Sequence, residues 1–236
     1  MKRRLLRTAC WLLAWVALPL QAATPAQLHV QYDVYKSGIK VAVMDETYTH
    51  NGDHYRIEST TKAYGLFALF KPEAIHAVSA GMITAHGLQP QTFDYQRKLD
   101  SERNTHADFD WASAQLVLTD HAGKRQLALP AGTQDRLSAM YQFMFLPLHA
   151  AQELKFSMTN GSKLDDYSYL VVPGQFVQVP FGAFQTTYLA SPPRANGGRT
   201  EIWLAGKLGN LPCKMVITEG NGDKLTQTLT HYTVVP

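Results

Sequence analysis

Apolar and polar residues alternate with period two along most of this chain, and the alternation predicts strands. Leu28, Val30, Tyr32 and Val34 share one face of a first strand, with His29, Gln31, Asp33 and Tyr35 on the other. Ser37-Gly38 turns the chain into Ile39–His50, and Asn51-Gly52, set between two alternating runs, turns it again into Tyr55–Lys62. The same pattern places strands at Ala74–Ala80, Thr92–Leu99, Asn104–Trp111, Gln115–Thr119 and Lys124–Leu129. A second series covers Leu154–Met158, Asp165–Val172, Phe176–Val179, Phe184–Ala190, Thr200–Leu204, Lys214–Glu219 and Lys224–Val234. Turn signals such as Asn160-Gly161, Pro173-Gly174 and Asn196-Gly197-Gly198 separate them. Many short strands at this spacing predict an all-β domain, an antiparallel sandwich or barrel.

Two segments depart from the alternation. Thr133–Leu146 reads as a helix, with Thr133 as cap, Asp135 in the first turn, Pro147 as stop, and Leu137, Met140, Tyr141 and Met144 at i, i+3, i+4 and i+7. Phe143 and Phe145 add apolar surface off that stripe, so the helix is expected to be buried on more than one side. Tyr64–Phe70 is apolar all round between Lys62 and Lys71, too short for a membrane span, and reads as a helical turn or lid.

The first residues have a different character. Lys2, Arg3, Arg4 and Arg7 precede an apolar run, Thr8–Leu20, and small residues follow at Ala22-Ala23. Together these read as a secretory signal peptide over residues 1–22, leaving 23–236 as one β-rich domain exported to the periplasm. With the leader removed, no membrane-spanning segment is expected. Cys10 is not a lipobox cysteine, because Arg7 stands where a leucine-like residue belongs and the apolar stretch follows Cys10, so the protein is expected to be released rather than acylated. The leader's four basic residues exceed the whole formal charge of +3. The remainder is about neutral, which removes the electrostatic case for a nucleic-acid partner. It also keeps a single cysteine, Cys213, so no intrachain disulfide can form.

Catalytic signatures are absent: no nucleophile elbow, His-Glu-x-x-His, phosphate loop, dinucleotide fingerprint or Cys-x-x-Cys occurs. His50 and His54 flank a turn, where a three-residue loop would bring both imidazoles onto a metal with Asp53 as a third ligand; two solvated histidines are the plainer reading. Asp108 and Asp110 share a strand face opposite Phe109 and Trp111, an arrangement that suits acid–base hydrolysis only if the carboxylates line a cleft. Cys213, Met215 and Ile217 share another face, where a buried cysteine acts as a small hydrophobe. No cofactor is implied.

The apolar inventory carries more. Ile202-Trp203-Leu204 and Leu170-Val171-Val172 are apolar on both faces, and Tyr64–Phe70 and Met140–Leu146 add large, adaptable side chains. A sheet curled around a helix would bury them all in a filled core. If the concave face is incompletely filled, it would instead hold a lipid or other amphiphile against Phe67, Phe70, Trp111, Met140, Phe143, Met144 and Trp203.

Several short stretches stand out in order: Tyr32-Asp33-Val34-Tyr35 with Gly38, Tyr55-Arg56-Ile57, Gly81 followed by Gly87-Leu88-Gln89-Pro90, Phe109-Asp110-Trp111, Asp135-Arg136-Leu137-Ser138, Pro180-Phe181-Gly182, and Ile202-Trp203-Leu204 leading to Leu211-Pro212. Together they resemble the bacterial exported proteins grouped as domain of unknown function 3108. The ending, a Trp-containing strand, the turn Gly209–Pro212 and a strand carrying Lys214, is also similar to LolA/LolB-type periplasmic lipoprotein carriers, although the chain opens with three strands where a carrier would place a helix. The resemblance implies a single curved antiparallel sheet, an open or half barrel with a helix capping its concave side, and it brings no catalytic residues. The expected function is amphiphile binding in that concavity. The alternatives are an envelope module with a filled core that meets a protein partner through strand edges or loops such as Ser191–Gly198, and a periplasmic hydrolase.

Overall fold

In strand β1 (Gln27–Lys36) the alternation is strict: Leu28, Val30, Tyr32 and Val34 are buried and the residues between them are not. The computed structural model describes residues 26–70, 72–148 and 152–235; the leader expected at 1–22, with Cys10, lies outside them. From β1 the chain runs as an antiparallel meander through β2 (Ile39–Asn51), β3 (His54–Ala63), β4 (Ala74–Thr84), β5 (Gly87–Arg97), β6 (Thr105–Asp110), β7 (Gln115–Asp120) and β8 (Gly123–Ala128). A five-residue helix, α1 (Leu66–Phe70), interrupts the step from β3 to β4.

The second half begins at the opposite edge of the sheet. There β9 (Gln134–Asp135) pairs in parallel with β10 (Glu153–Thr159), and helix α2 (Ser138–Gln142) lies between them in sequence. The chain then meanders back through β11 (Leu164–Val179), β12 (Gly182–Ala190), β13 (Arg199–Ala205), β14 (Leu211–Thr218) and β15 (Lys224–Val235), and β15 pairs with β1. The order across the sheet is therefore β8 down to β1, then β15 down to β9. This is the curved, unclosed, almost wholly antiparallel sheet that the resemblance implied.

The fifteen strands among the described residues, laid flat, would stretch about 65 Å at the usual spacing of about 4.8 Å. Only residues 129–133 separate the outermost strands β8 and β9, and a linker of that length spans no more than about 20 Å. The sheet must therefore curl until its edges approach. Side chains fasten the approach: Arg125 on β8 donates to the Ser162 carbonyl, and Thr105 Oγ1 donates to the Asn160 carbonyl at 2.9 Å. Gly161 fits against Thr105 there because a Cβ would lie 2.4 Å from its hydroxyl oxygen.

The segment that follows the link enters the barrel and fills one half of it. Gln134 Nε2 donates to the Leu88 carbonyl at 2.9 Å, and the Asp135 carboxylate accepts from Ser79 Oγ at 2.5 Å and from the N–H groups of Leu137 and Ser138. Gln142 spans the β4–β5 turn, accepting from Leu88 N–H at 2.6 Å and donating to the His86 carbonyl. The Tyr141 ring stacks on Tyr48 with centroids 5.5 Å apart, and its hydroxyl donates to Glu46 Oε2 at 3.1 Å. Leu28, Ile57, Phe93, Leu116 and Leu118 pack around this plug. The helix is shorter than the expected Thr133–Leu146. Residues 134–135 extend to pair with β10, the helix covers only Ser138–Gln142, and a 3₁₀ turn, Phe143–Phe145, completes the segment. Thr133 does not cap it either, since its hydroxyl donates to the Pro130 carbonyl.

The expected strands Asp165–Val172 and Phe176–Val179 form one strand, β11, whose register slips between Val172 and Gln175 around Pro173-Gly174. Beyond that irregularity the β11–β12 hairpin folds back over the filled half. Val177, Val179 and Phe184 join the core, and Phe181 N–H donates to the Leu229 carbonyl on β15. Among the described residues no helix is long and apolar enough to cross a membrane.

Two measurements test how the plug is seated. Gly81 sits at a register slip, where a Cβ would lie 2.2 Å from the Gln89 carbonyl oxygen and 2.8 Å from the Pro90 Cα. Both obstacles are backbone, so Gly81→Ala is expected to lower stability by about 2 kcal/mol, read as the midpoint of urea unfolding; an unchanged midpoint would contradict the close approach. Glu46 is fully buried, and desolvation pushes its pKa from 4.5 up to about 7 against the hydrogen bonds of Ser59 and Tyr141 and the charge of Arg136. The folded state then holds a proton that the unfolded state releases between pH 4.5 and 7, so this group's contribution to stability falls as pH rises through that window, by up to about 3 kcal/mol. Glu46→Gln is expected to gain stability relative to the parent between pH 5 and pH 8. Parallel pH profiles for the two proteins would rule the assignment out.

Candidate functional site

The inward residues of the sheet divide into two levels. At one level Tyr48, Tyr55, Ile57, Phe93, Leu116 and Cys213 pack on the plug. At the other, inward residues on several strands surround open space bordered by one side of the plug. A cavity of about 330 Å³ lies among Val34, Met44, Thr61, Ile75, Tyr95 and Leu225, each from a different strand. A second cavity, of about 280 Å³, shares Arg136, Met215 and Ile217 with the first and continues past Met158, Tyr167, Tyr169 and Ile202. A polar compartment of about 450 Å³ lies among Tyr95, Arg97, Glu102, Asp120, His121 and Lys163, with Arg136 again in its wall.

Arg136 is set in this space by its neighbours in sequence. Asp135 is buried and anchored to Ser79, and Leu137 is buried in the core, so the exposed residue between them projects from the plug toward the open half. Its guanidinium carbon stands 5.3 Å from the centroid of the Tyr95 ring, a cation–π contact. Its charge also acts on the buried Glu46, where it works against the upward push of desolvation. A smaller space of about 70 Å³ connects Arg136 with Glu46, Tyr141, Met140 and Lys214.

The residues singled out from the sequence scatter. Met140 lines the 280 Å³ cavity. Phe143 is buried in the core and faces a separate pocket of about 190 Å³ beside Leu154 and Phe156. Met144 is part-buried against the core. Trp111 stacks on Phe109 and its indole N–H donates to the Pro90 carbonyl at 2.7 Å, at the filled level. Trp203 faces away from its inward neighbour Ile202, against Tyr188, with Lys214 Nζ 4.9 Å from its ring centroid. Phe67 and Phe70 are 49% and 86% exposed on α1, which buries none of its residues. That helix joins the ends of β3 and β4 nearest the open half, in sequence beside Thr61 and Ile75, and its apolar side chains are exposed there. Val34, Met44, Ile75, Tyr95 and Arg136 were missed as wall residues. A signal for Arg136 was present, since it is a long cation off the apolar stripe of a segment buried on both sides of it.

The His50–His54 turn has a two-residue loop instead of three. His50 pairs with Tyr55 and His54 with Asn51, so the imidazoles face opposite sides of the sheet, and no metal-ligand group of three or more occurs among the described residues. Asp108 and Asp110 are exposed on the outer face, opposite buried Ala107 and Phe109. His106 bridges two outer carboxylates, Asp94 at 2.8 Å and Asp108 at 3.0 Å; their hydrogen bonds raise its pKa against the opposing effect of burial. The carboxylates named for hydrolysis therefore line no part of the open half. Cys213 is buried, donates weakly to the Trp203 carbonyl, and burial pushes its thiol up to about 11, the behaviour of a small hydrophobe.

No curated protein matches the chain. Among solved structures it is similar to a β-barrel-like protein of domain of unknown function DUF1849 from Brucella abortus, at 10% identity over 90% of this chain and 99% of that one, with a TM-score of 0.57. At that identity the likeness concerns the fold alone: another chain of this length curls a sheet in a similar way. The sequence profile of the family described as "Protein of unknown function (DUF3108)" matches residues 31–230. That match spans every strand from β2 to β14 and the whole plug, and the chain belongs to the DUF3108 family.

Proposed function

We propose that this protein is exported to the periplasm, released there without a lipid anchor, and binds an amphiphile whose apolar part enters the open half of the barrel. The observation that carries the reading is the unequal filling of one continuous sheet. Residues from the same strands are packed against the plug at one level and face open space at the other. A core collapsed for stability alone would fill both, because empty apolar volume costs stability.

The chemistry of the wall supports an apolar guest of variable shape. Met44, Met140, Met158 and Met215 contribute flexible, polarizable side chains, and Val34, Ile75, Ile202 and Ile217 contribute aliphatic ones. The larger of the two mainly apolar cavities exceeds the floor of about 300 Å³ for ligand pockets, and the second adjoins it through shared residues. This favours a binding protein over a filled module that works only through its edges. The exposed strand β8 and the loop Ser191–Gly198 are still available to a protein partner.

Met215 borders both cavities, so Met215→Trp is expected to abolish uptake of a fluorescent fatty acid while leaving the melting temperature within a few degrees of the parent. Native mass spectrometry of protein purified from a periplasm is expected to show a co-purifying molecule of lipid mass. A ligand-free mass together with no probe uptake by the parent protein would refute the reading.

A further inference from the structure

Arginines in this protein divide into two groups. Arg56, Arg97, Arg103, Arg125 and Arg199 each have a carboxylate within 4.0 Å. Among the described residues Arg136 and Arg194 have none, and both line the same 280 Å³ cavity. Arg136 is also the one side chain common to that cavity, the 330 Å³ cavity, the polar compartment and the small space above Glu46. Arg136 is exposed to the open half with no carboxylate within 4.0 Å, so an anionic group entering that space would meet a guanidinium that no ion pair already occupies. Tyr95 offers its ring face, which steadies the cation without neutralising it. Neutral hydroxyls stand nearby on Thr61 and Tyr167, able to donate to an anionic oxygen.

Resting on the amphiphile-binding reading above, we infer that the ligand of the open half carries a single anionic head, a carboxylate or phosphate, which pairs with Arg136 and is reached from the Ser191–Gly198 loop by Arg194, while its chain lies against Met44, Met215 and Ile217. A guanidinium presents a planar fork of donors that matches either group, which a lysine at this position would not. The arrangement also gives the ligand a direction: its head lies at the plug and its tail runs along the strands.

The test compares ligands of one chain length by displacement of a neutral fluorescent probe. Decanoate is expected to bind at least tenfold more tightly than decanol, and decylamine more weakly than either. In Arg136→Gln the decanoate preference is expected to fall to threefold or less through weaker decanoate binding, with decanol unchanged, and Arg136→Lys is expected to restore part of it. Decyl phosphate in place of decanoate identifies the preferred head, and inorganic phosphate alone is expected not to bind at millimolar concentration. Equal binding of decanoate and decanol by the parent protein would overturn this inference and leave amphiphile binding standing. Binding of none of the three decyl probes would overturn both. Inorganic phosphate as effective as decyl phosphate would replace an amphiphile head site with a free-anion site. The comparison within the parent protein does not depend on any variant folding.

Discussion

Five residues, 129–133, hold the architecture to its shape. They tie the outermost strand of the first meander to the outermost strand of the second, so a sheet that would be broad if flat has to roll until its margins meet. Among the described residues the margins do not exchange ladder hydrogen bonds. The chain leaving β8 passes instead into the interior and builds the plug. Curvature, the absence of a closing ladder and the filling of one half all follow from that short connection, and the open half is what remains of the interior once the plug is seated.

The plug is polar where it is most buried. Asp135, Glu46, Ser79 and Ser138 are all buried, and their hydrogen bonds fix the segment at defined heights on β2 and β4. Apolar contacts alone would allow it to slide along the strands, whereas directional bonds to Ser79 and Glu46 set where it stops. Its stopping point decides which inward residues are covered. It also decides that the one exposed residue in the buried stretch, Arg136, faces the space left open.

Most strands were legible because alternation is a local signal that one buried face imposes on every strand. The boundaries drift at irregularities: β11 was read as two strands because Pro173-Gly174 is both a turn signal and, here, a register slip within a strand. The plug was half-legible. Leu137, Met140, Tyr141 and Met144 are spaced for a helix, but pairing of Gln134–Asp135 with β10 and the anchoring of Asp135 to Ser79 override local helical preference at its start. The wall was the least legible part. Large apolar residues stand out in the sequence, yet Phe67 and Phe70 are exposed on α1 and Trp203 faces away, because hydrophobicity does not say which end of a barrel a plug fills. The wall mixes Ile75 and Met215 with Thr61 and Gln227, and in sequence those strands look like any half-buried strand.

The two halves of the sheet meet along β1 and β15, which are the first and last strands described. Gln27 lies opposite Val235, and Thr230 Oγ1 donates to the Gln31 carbonyl across 199 residues of sequence. Each meander can assemble from neighbours, but this joint has no local route and bears the largest loop-closure entropy in the molecule. Until the last strand arrives, β1 presents an unpaired backbone edge beside Val30 and Tyr32. Folding is therefore expected to be slow and to complete only when the full chain is present, with the opening strand waiting for the closing one.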